Sequence, residues 1–284
     1  MEKLTRILTV VDKVADGPVL LEKSVALARR FGAHVDLLLH ETLHAEPFAT
    51  LCSTLHYGEV TLARMHAATT PLHEDILRCA LLSRPDLIIK APAGVHPLRR
   101  WTLDETDRSL ADKSPVPLLL VRQKAWSDPV RFAAAVDVSD DASAETARSI
   151  LHAAGFLGLG CHGQIDILYG ERERFDERVR MARAVKLAQL VREFHVGSER
   201  LQVFDGPPAE ILPPIVRARH YDVIVLGACS HQPRMKTVFG TMSSRLVDAT
   251  DGDVVLVKAP VHDGTWRRVQ SMVEQRSHER EQLV

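Results

Sequence analysis

One passage constrains what this chain can fold into more than any other, because its register occurs twice. Between Tyr221 and Lys258, the apolar run Asp222-Val-Ile-Val-Leu-Gly227 reads as a buried parallel strand ending at a glycine. A loop follows from Ala228 to Phe239, and Gly240-Thr241-Met242-Ser243 opens a helical pattern through Leu246-Val247 to Ala249. Asp253-Val-Val-Leu-Val257 closes the passage as a second buried strand. A glycine at the strand end admits close backbone approach, and free N–H groups at a helix start favour an anion. The passage therefore reads as a phosphate-binding crossover.

The rest of the chain repeats this grammar. Arg6-Ile-Leu-Thr-Val-Val-Asp12 is a strand ended by an acid, a helix runs from Pro18 to its stop at Gly32, and His34-Val-Asp-Leu-Leu-Leu-His40 is the next strand. Residues 41 to 70 read as helical, with no strand. Pro71 to Ser83 carries a helical stripe, and Asp86-Leu-Ile-Ile-Lys90 and Pro117-Leu-Leu-Leu-Val121 are strands. Past a polar linker at 123–129 the pattern restarts, with Phe132 to Asp137 a strand ended by an acid and Ser143 to Ala154 a helix. Gln164 to Tyr169 is a strand, Phe175 to His195 a charged helix and Leu201 to Gly206 a strand, after which Pro207 begins another helix. Asp12 maps to Asp137 at an offset of 125, while Asp86 maps to Asp222 and Val121 to Val257 at 136, so an insertion of about eleven residues lies between. A period this long marks a duplicated domain. The expected fold is α/β, two tandem doubly wound domains of five parallel strands, at 3–124 and 129–260, followed by a charged tail at 261–284.

Composition excludes several classes. A formal net charge of -1 gives no general attraction to nucleic acid or to a membrane surface. No apolar run approaches the roughly 18 residues needed to cross a bilayer, and Met1 to Arg6 has no signal-peptide core. A cytoplasmic location is expected. Cys52, Cys79, Cys161 and Cys229 form no CxxC pair and read as small packed groups, and the dipeptide Cys161-His162 and the pair Cys229 and His231 are a poor zinc signal. No metal site is assigned.

In a doubly wound sheet a ligand sits at the carboxyl ends of the strands, where their order reverses. The second half places Asp137, Gly206, Gly227 and the helix start Gly240-Thr241-Met242-Ser243 at such ends, and the loop adds Arg234 and Lys236 as cations for phosphate. A carboxylate after a first strand also serves as a helix cap, and glycines at strand ends also serve turns. Together they favour a nucleotide site.

The spacing Gly227-x2-Ser230-x9-Gly240-Thr241, after a strand and with Asp137 upstream, resembles the motif of the universal stress protein family. The resemblance covers both halves and is similar to the tandem-domain, E-type branch. It implies a stress-response protein that binds ATP or another adenine nucleotide, with Mg²⁺ accompanying ATP, in the second domain only. It points to Asp137, Gly206, Gly227, Ser230, Gly240, Thr241, Met242 and Ser243 as contact residues. Ser230 stands where the family has its middle glycine. In the first half Ala91 replaces the first glycine, Gly94 holds the second place, and Asp104-Glu105 stand where Gly-Ser belongs. Two carboxylates at a helix start satisfy the dipole themselves and repel a triphosphate. Family members commonly dimerise through the last strand, which implies an intramolecular pseudo-dimer through Leu118–Val121 and Val254–Val257 and leaves room for a homodimer.

No nucleophile with an adjacent base and no paired carboxylates for a metal occur in the motif, so no catalytic residue is assigned and a regulatory binding module is expected. Two alternatives stand beside it. One is slow ATP hydrolysis or nucleotidyl transfer at the second domain, where His231 lies near the loop. The other is a scaffold holding an apolar ligand or a partner against Met242 and Phe239.

Overall fold

The computed structural model describes residues 3–40, 50, 60–64, 71–92, 94–96, 99–171, 176–228 and 241–258, with backbone alone at 60–64, 94–96, 99–102 and 241. Two compact units divide the chain, one within 3–93 and 103–123, the other gathering 94–102 with 124–260.

In the first unit, β1 (Arg6–Val11) is followed by α1 (Gly17–Phe31), β2 (His34–Leu39), β3 (Val60–Arg64), α2 (Leu72–Ser83) and β4 (Leu87–Lys90). The antiparallel hairpin of β5 (Gly94–His96) and β6 (Arg99–Thr102) groups with the second unit. Helix α3 (Glu105–Lys113) and β7 (Leu118–Leu120) complete the first. Its strands are all parallel, in the order β7-β4-β1-β2-β3. Being covered on both faces, they read as continuous apolar runs: Ile7, Leu8, Val10 and Val11 of β1 are buried, as are Leu87, Ile88 and Ile89 of β4. Helix α1 begins with Pro18 in its first turn and ends at Gly32, whose φ of 65° allows its N–H to close on Ala28 O.

The strand β3 corrects the expectation of no strand between 41 and 70. It pairs with β2 from Val35↔Val60 to Leu39↔Arg64, as an edge strand with a neighbour on one side only. Five residues with one long aliphatic pair carry too little alternation to announce a strand.

The second unit runs β8 (Arg131–Ala135), α4 (Asp141–Gly160), β9 (Gln164–Glu171), α5 (Glu177–Glu193), β10 (Leu201–Asp205), α6 (Pro208–Arg219), β11 (Val223–Gly227), α7 (Thr241–Ala249) and β12 (Asp253–Val257). The strands are again parallel, in the order β10-β9-β8-β11-β12. Helix α4 continues six residues beyond the expected end at Ala154, through Gly155, Gly158 and Gly160. Gly158 is there for contact: a Cβ at that position would stand 2.8 Å from Ile165 Cδ1 on β9. Close approach of helix to sheet selects the glycine.

The duplication is visible in polar detail. Asp86 Oδ2 accepts from Thr5 N at 2.6 Å, Thr5 Oγ1 at 2.8 Å and Arg6 N at 3.1 Å, fixing the start of β1 to the turn before β4. Its repeat partner Asp222, also through Oδ2, accepts from Arg131 N at 2.9 Å and from Ser127 Oγ, fixing the start of β8 to β11. Replacing Asp222 with alanine strands a backbone donor and a hydroxyl, so Asp222→Ala is expected to cost about 2 kcal/mol. A calorimetric melt should show the transition of the second unit falling by roughly 4–8 °C. The reading of the cysteines as small packed groups can be followed at Cys79 and Cys161, both free thiols, since Cys52 and Cys229 lie outside the described residues. Cys161 is buried, and burial, aided by Asp75, pushes the Cys79 thiol up to about 11. The expected 261–284 tail also lies outside the described residues.

Candidate functional site

In the second unit the chain winds from β8 out to β10, then returns to β11 and β12, so the order reverses between β8 and β11. The crevice at that reversal, at the carboxyl ends of the strands, is where this class of sheet takes a ligand. Val136 N donates to Leu168 O at 3.0 Å, which prolongs the β8 ladder by one residue and delivers Asp137 to the crevice mouth. Asp137 is half-buried. Its Oδ1 accepts from Ser139 N at 2.8 Å, while the cap of α4 is Asp140, which accepts from Ser143 N at 2.7 Å. Helix capping is thus done elsewhere, and Asp137 Oδ2 has no hydrogen-bond partner among the described residues.

Alternation decides which way Asp137 lies. Phe132 and Ile165 share the α4 face, as their proximity to Gly158 shows, so Val136 follows them and Asp137 takes the opposite face, the one covered by α6. Helix α6 packs on α7, so the start of α7 is on that side as well. Gly227 ends β11. A Cβ on it would sit 3.1 Å from Thr146 Cγ2 of α4, so the strand end and α4 are in close contact. Ser243 is buried, and its Oγ donates to Gly227 O at 3.0 Å, tying the first turn of α7 to the strand end. Thr241 begins that helix, Met242 is half-buried, and no acidic residue occupies the first turn. The amide end of the helix therefore keeps its positive potential.

Of the expected contact residues, Asp137, Gly227, Thr241, Met242 and Ser243 come together at the ends of β8 and β11. Ser230 and Gly240 lie outside the described residues, as do the loop residues His231, Arg234, Lys236 and Phe239. The strand order does not bring Gly206 to the crevice. It follows β10, three strand positions from β11, which is roughly 14 Å at the spacing of a sheet. Its φ of 124° and its N–H to Glu171 O at 2.8 Å serve the turn into α6. Gly206→Ala adds a strained φ and a Cβ 3.0 Å from Ile211 Cγ2. A loss of about 1–2 kcal/mol in a denaturant melt is expected, with ligand affinity unchanged.

Two clusters escaped the sequence reading. At the end of β9, Glu171 accepts from Arg183 Nη1 at 2.8 Å and from Tyr169 OH at 3.2 Å, all three buried, which ties α5 to the strand ends. Burial and the Glu171 carboxylate push the Tyr169 phenol up to about 12. Arg183 lies in a helix rich in charge, where no pattern sets it apart.

The second cluster is in the first unit, at the matching reversal between β4 and β1. Lys90 ends β4 with its side chain wholly buried. Its Nζ donates to Ala91 O at 2.7 Å and to Asp107 Oδ1 at 3.1 Å, and lies 3.6 Å from Asp12 Oδ2. At the offset of 136, Lys90 matches Leu226, Ala91 matches Gly227 and Asp107 matches Ser243. Each unit thus anchors the strand-end carbonyl with a buried donor: a serine hydroxyl in the second, a lysine ammonium in the first. Asp104 caps α3 by accepting from Asp107 N at 2.7 Å, and Glu105 and Asp107 add carboxylates to the first turn. A sequence signal existed, since a lysine ending the otherwise apolar strand Leu-Ile-Ile-Lys90 needs a counter-charge.

The model of the universal stress protein family matches residues 132–258. A curated relative, the universal stress protein E homolog of Haemophilus influenzae (strain ATCC 51907 / DSM 11121 / KW20 / Rd), is 20% identical over 196 residues, and the match spans 63% of this chain and 63% of that protein's length. Among solved structures, a protein of Pseudomonas aeruginosa UCBPP-PA14 described as a universal stress protein superposes with a TM-score of 0.82 at 19% identity, covering 96% of this chain and 99% of its own. A functionally unknown protein of Pseudomonas aeruginosa PAO1 gives 0.80 at 19% identity, covering 96% and 98%. A universal stress protein of Archaeoglobus fulgidus DSM 4304 gives 0.62 at 13% identity, covering 89% and 96%. These likenesses establish the fold.

Proposed function

We propose that the chain, whose residues 132–258 match the model of the universal stress protein family, is a stress-response module whose second unit binds an adenine nucleotide. One observation carries the reading: the two helix starts at matching crevices differ in charge. The first turn of α7 holds Thr241, Met242 and Ser243 with no acid, whereas the first turn of α3 holds Glu105 and Asp107 behind the cap Asp104. An amide end without carboxylates stabilises phosphate, and one with three repels it.

The residues divide the work. Asp137 presents Oδ2 to a hydroxyl or amine donor of the nucleoside, while the N–H groups at the start of α7 take phosphate. Ser243, through Gly227 O, holds the helix start against the strand end so that both halves of the ligand meet fixed partners. ATP would bring Mg²⁺ with its phosphates. No helix among the described residues is long and apolar enough to cross a membrane.

Isothermal titration of the full chain with ATP, AMP and adenosine tests this. Binding of one nucleotide per chain, with adenosine weaker, is expected. Absence of heat with all three, together with unmodified melting curves, would defeat the reading.

A further inference from the structure

The cluster around Lys90 is more than an absent nucleotide site. Lys90 and Asp107 are wholly buried, the Asp12 side chain is 10% exposed, and all three converge at the reversal point of a doubly wound sheet. The three acceptors facing Nζ are a backbone carbonyl and two carboxylates from three different elements, the end of β4, the start of α3 and the end of β1. An ammonium has three donors, and these three acceptors surround it. A fourth acceptor is left over: Asp12 Oδ1 is buried and has no hydrogen-bond partner among the described residues. A buried carboxylate oxygen without a donor is rare in native proteins and calls for an explanation. Here the crevice wall holds acceptor capacity beyond what the lysine uses.

We infer that the strand-end crevice of the first unit is an ammonium-binding site whose resident ligand is the Lys90 side chain. The second unit's crevice has Leu226 and Ser243 at the matching places and lacks the carboxylate of Asp107, so it has no such receptor. The ligand class is a protonated primary amine. Phosphates are disfavoured by the four carboxylates Asp12, Asp104, Glu105 and Asp107. The first unit is thereby occupied by its own chain, and its crevice responds to no nucleotide.

Chemical rescue tests the inference without depending on nucleotide binding. Lys90→Ala deletes n-propylammonium from the crevice, so n-propylammonium chloride is the probe. In the full-length variant it should raise Tm in a saturable way by about 3 °C or more, while leaving the unsubstituted protein unmoved. The same concentration of n-propanol or sodium chloride should do nothing, and adding Asp107→Asn should abolish the response. Equal stabilisation by n-propanol would mean an apolar cavity and would overturn the proposal, as would no response to the amine. If Lys90→Ala does not fold, the unsubstituted protein still decides. Under limited acetylation with peptide mass spectrometry, Lys90 should react at least about ten-fold more slowly than exposed Lys13. Acetylation of Lys90 at the rate of Lys13 would show that its ammonium is not held in the crevice.

Discussion

Lys90→Ala is expected to be the most damaging single substitution described here, lowering stability by about 3–5 kcal/mol. The size follows from what remains rather than from what is lost. With the ammonium gone, the wholly buried Asp107 and the Asp12 side chain, 10% exposed, both lose the cation that faces them. Lys90→Met, which restores the stem without the charge, should recover the packing and little of the stability. Combining Lys90→Leu with Asp107→Ser, the residues found at the matching positions Leu226 and Ser243, removes charge of both signs and should be less harmful than Lys90→Leu alone. Melts of the unsubstituted protein, Lys90→Leu, Asp107→Ser and the pair measure the coupling directly, and additivity of the two single changes would contradict the ion-pair account.

The same network carries a pH signature. Burial pushes the Lys90 ammonium toward deprotonation, but Asp107, Asp12 and Asp104 more than reverse this, and its pKa ends above the ordinary lysine value of 10.5. A raised folded-state value means that the stabilisation is complete below about pH 10.5 and is lost as pH climbs through the folded-state value. Alkaline unfolding of the first unit should therefore begin only above that pH, and the Lys90→Met variant should lack this alkaline limb.

The second large effect is on affinity. Asp137→Ala should weaken nucleotide binding to the second unit by about 10–100-fold, the worth of a hydrogen bond to a charged group. Asp137→Asn retains a carbonyl to accept from Ser139 N and should keep the turn while losing the charge. Intermediate affinity for that variant would separate the ligand contact from the turn. The repeat supplies a control on the same chain, because Asp12→Ala should leave affinity unchanged while destabilising the first unit. Equal affinity for Asp137→Ala and the unsubstituted protein would remove Asp137 from the site.

What could be read from residues alone followed physical legibility. Buried parallel strands such as Val223–Gly227 and Leu87–Lys90 announce themselves, since nothing but apolar side chains fits between two helical layers. The edge strand Val60–Arg64 did not, because one neighbour and five residues leave no such imprint. Gly158 was legible as a glycine but not as a contact, since the reason for it, Ile165, lies on another element. At the crevice, Asp137, Gly227 and Ser243 were legible because strand ends and helix starts have fixed sequence marks. The Lys90 cluster was not, because its three members come from places 12, 90 and 107 in the chain and only folding brings them within reach. Gly206 sits at a strand end like the others, but strand order, which no local pattern encodes, places it after β10, three strand positions from β11.

The hairpin Gly94–Thr102 has a consequence for how such a molecule can be dissected. Its residues are encoded inside the first copy of the duplication yet group with the second unit, where β6 lies against α7. A gene severed at the linker near residue 124 would leave one half carrying a strand pair that is not its own and the other half without it.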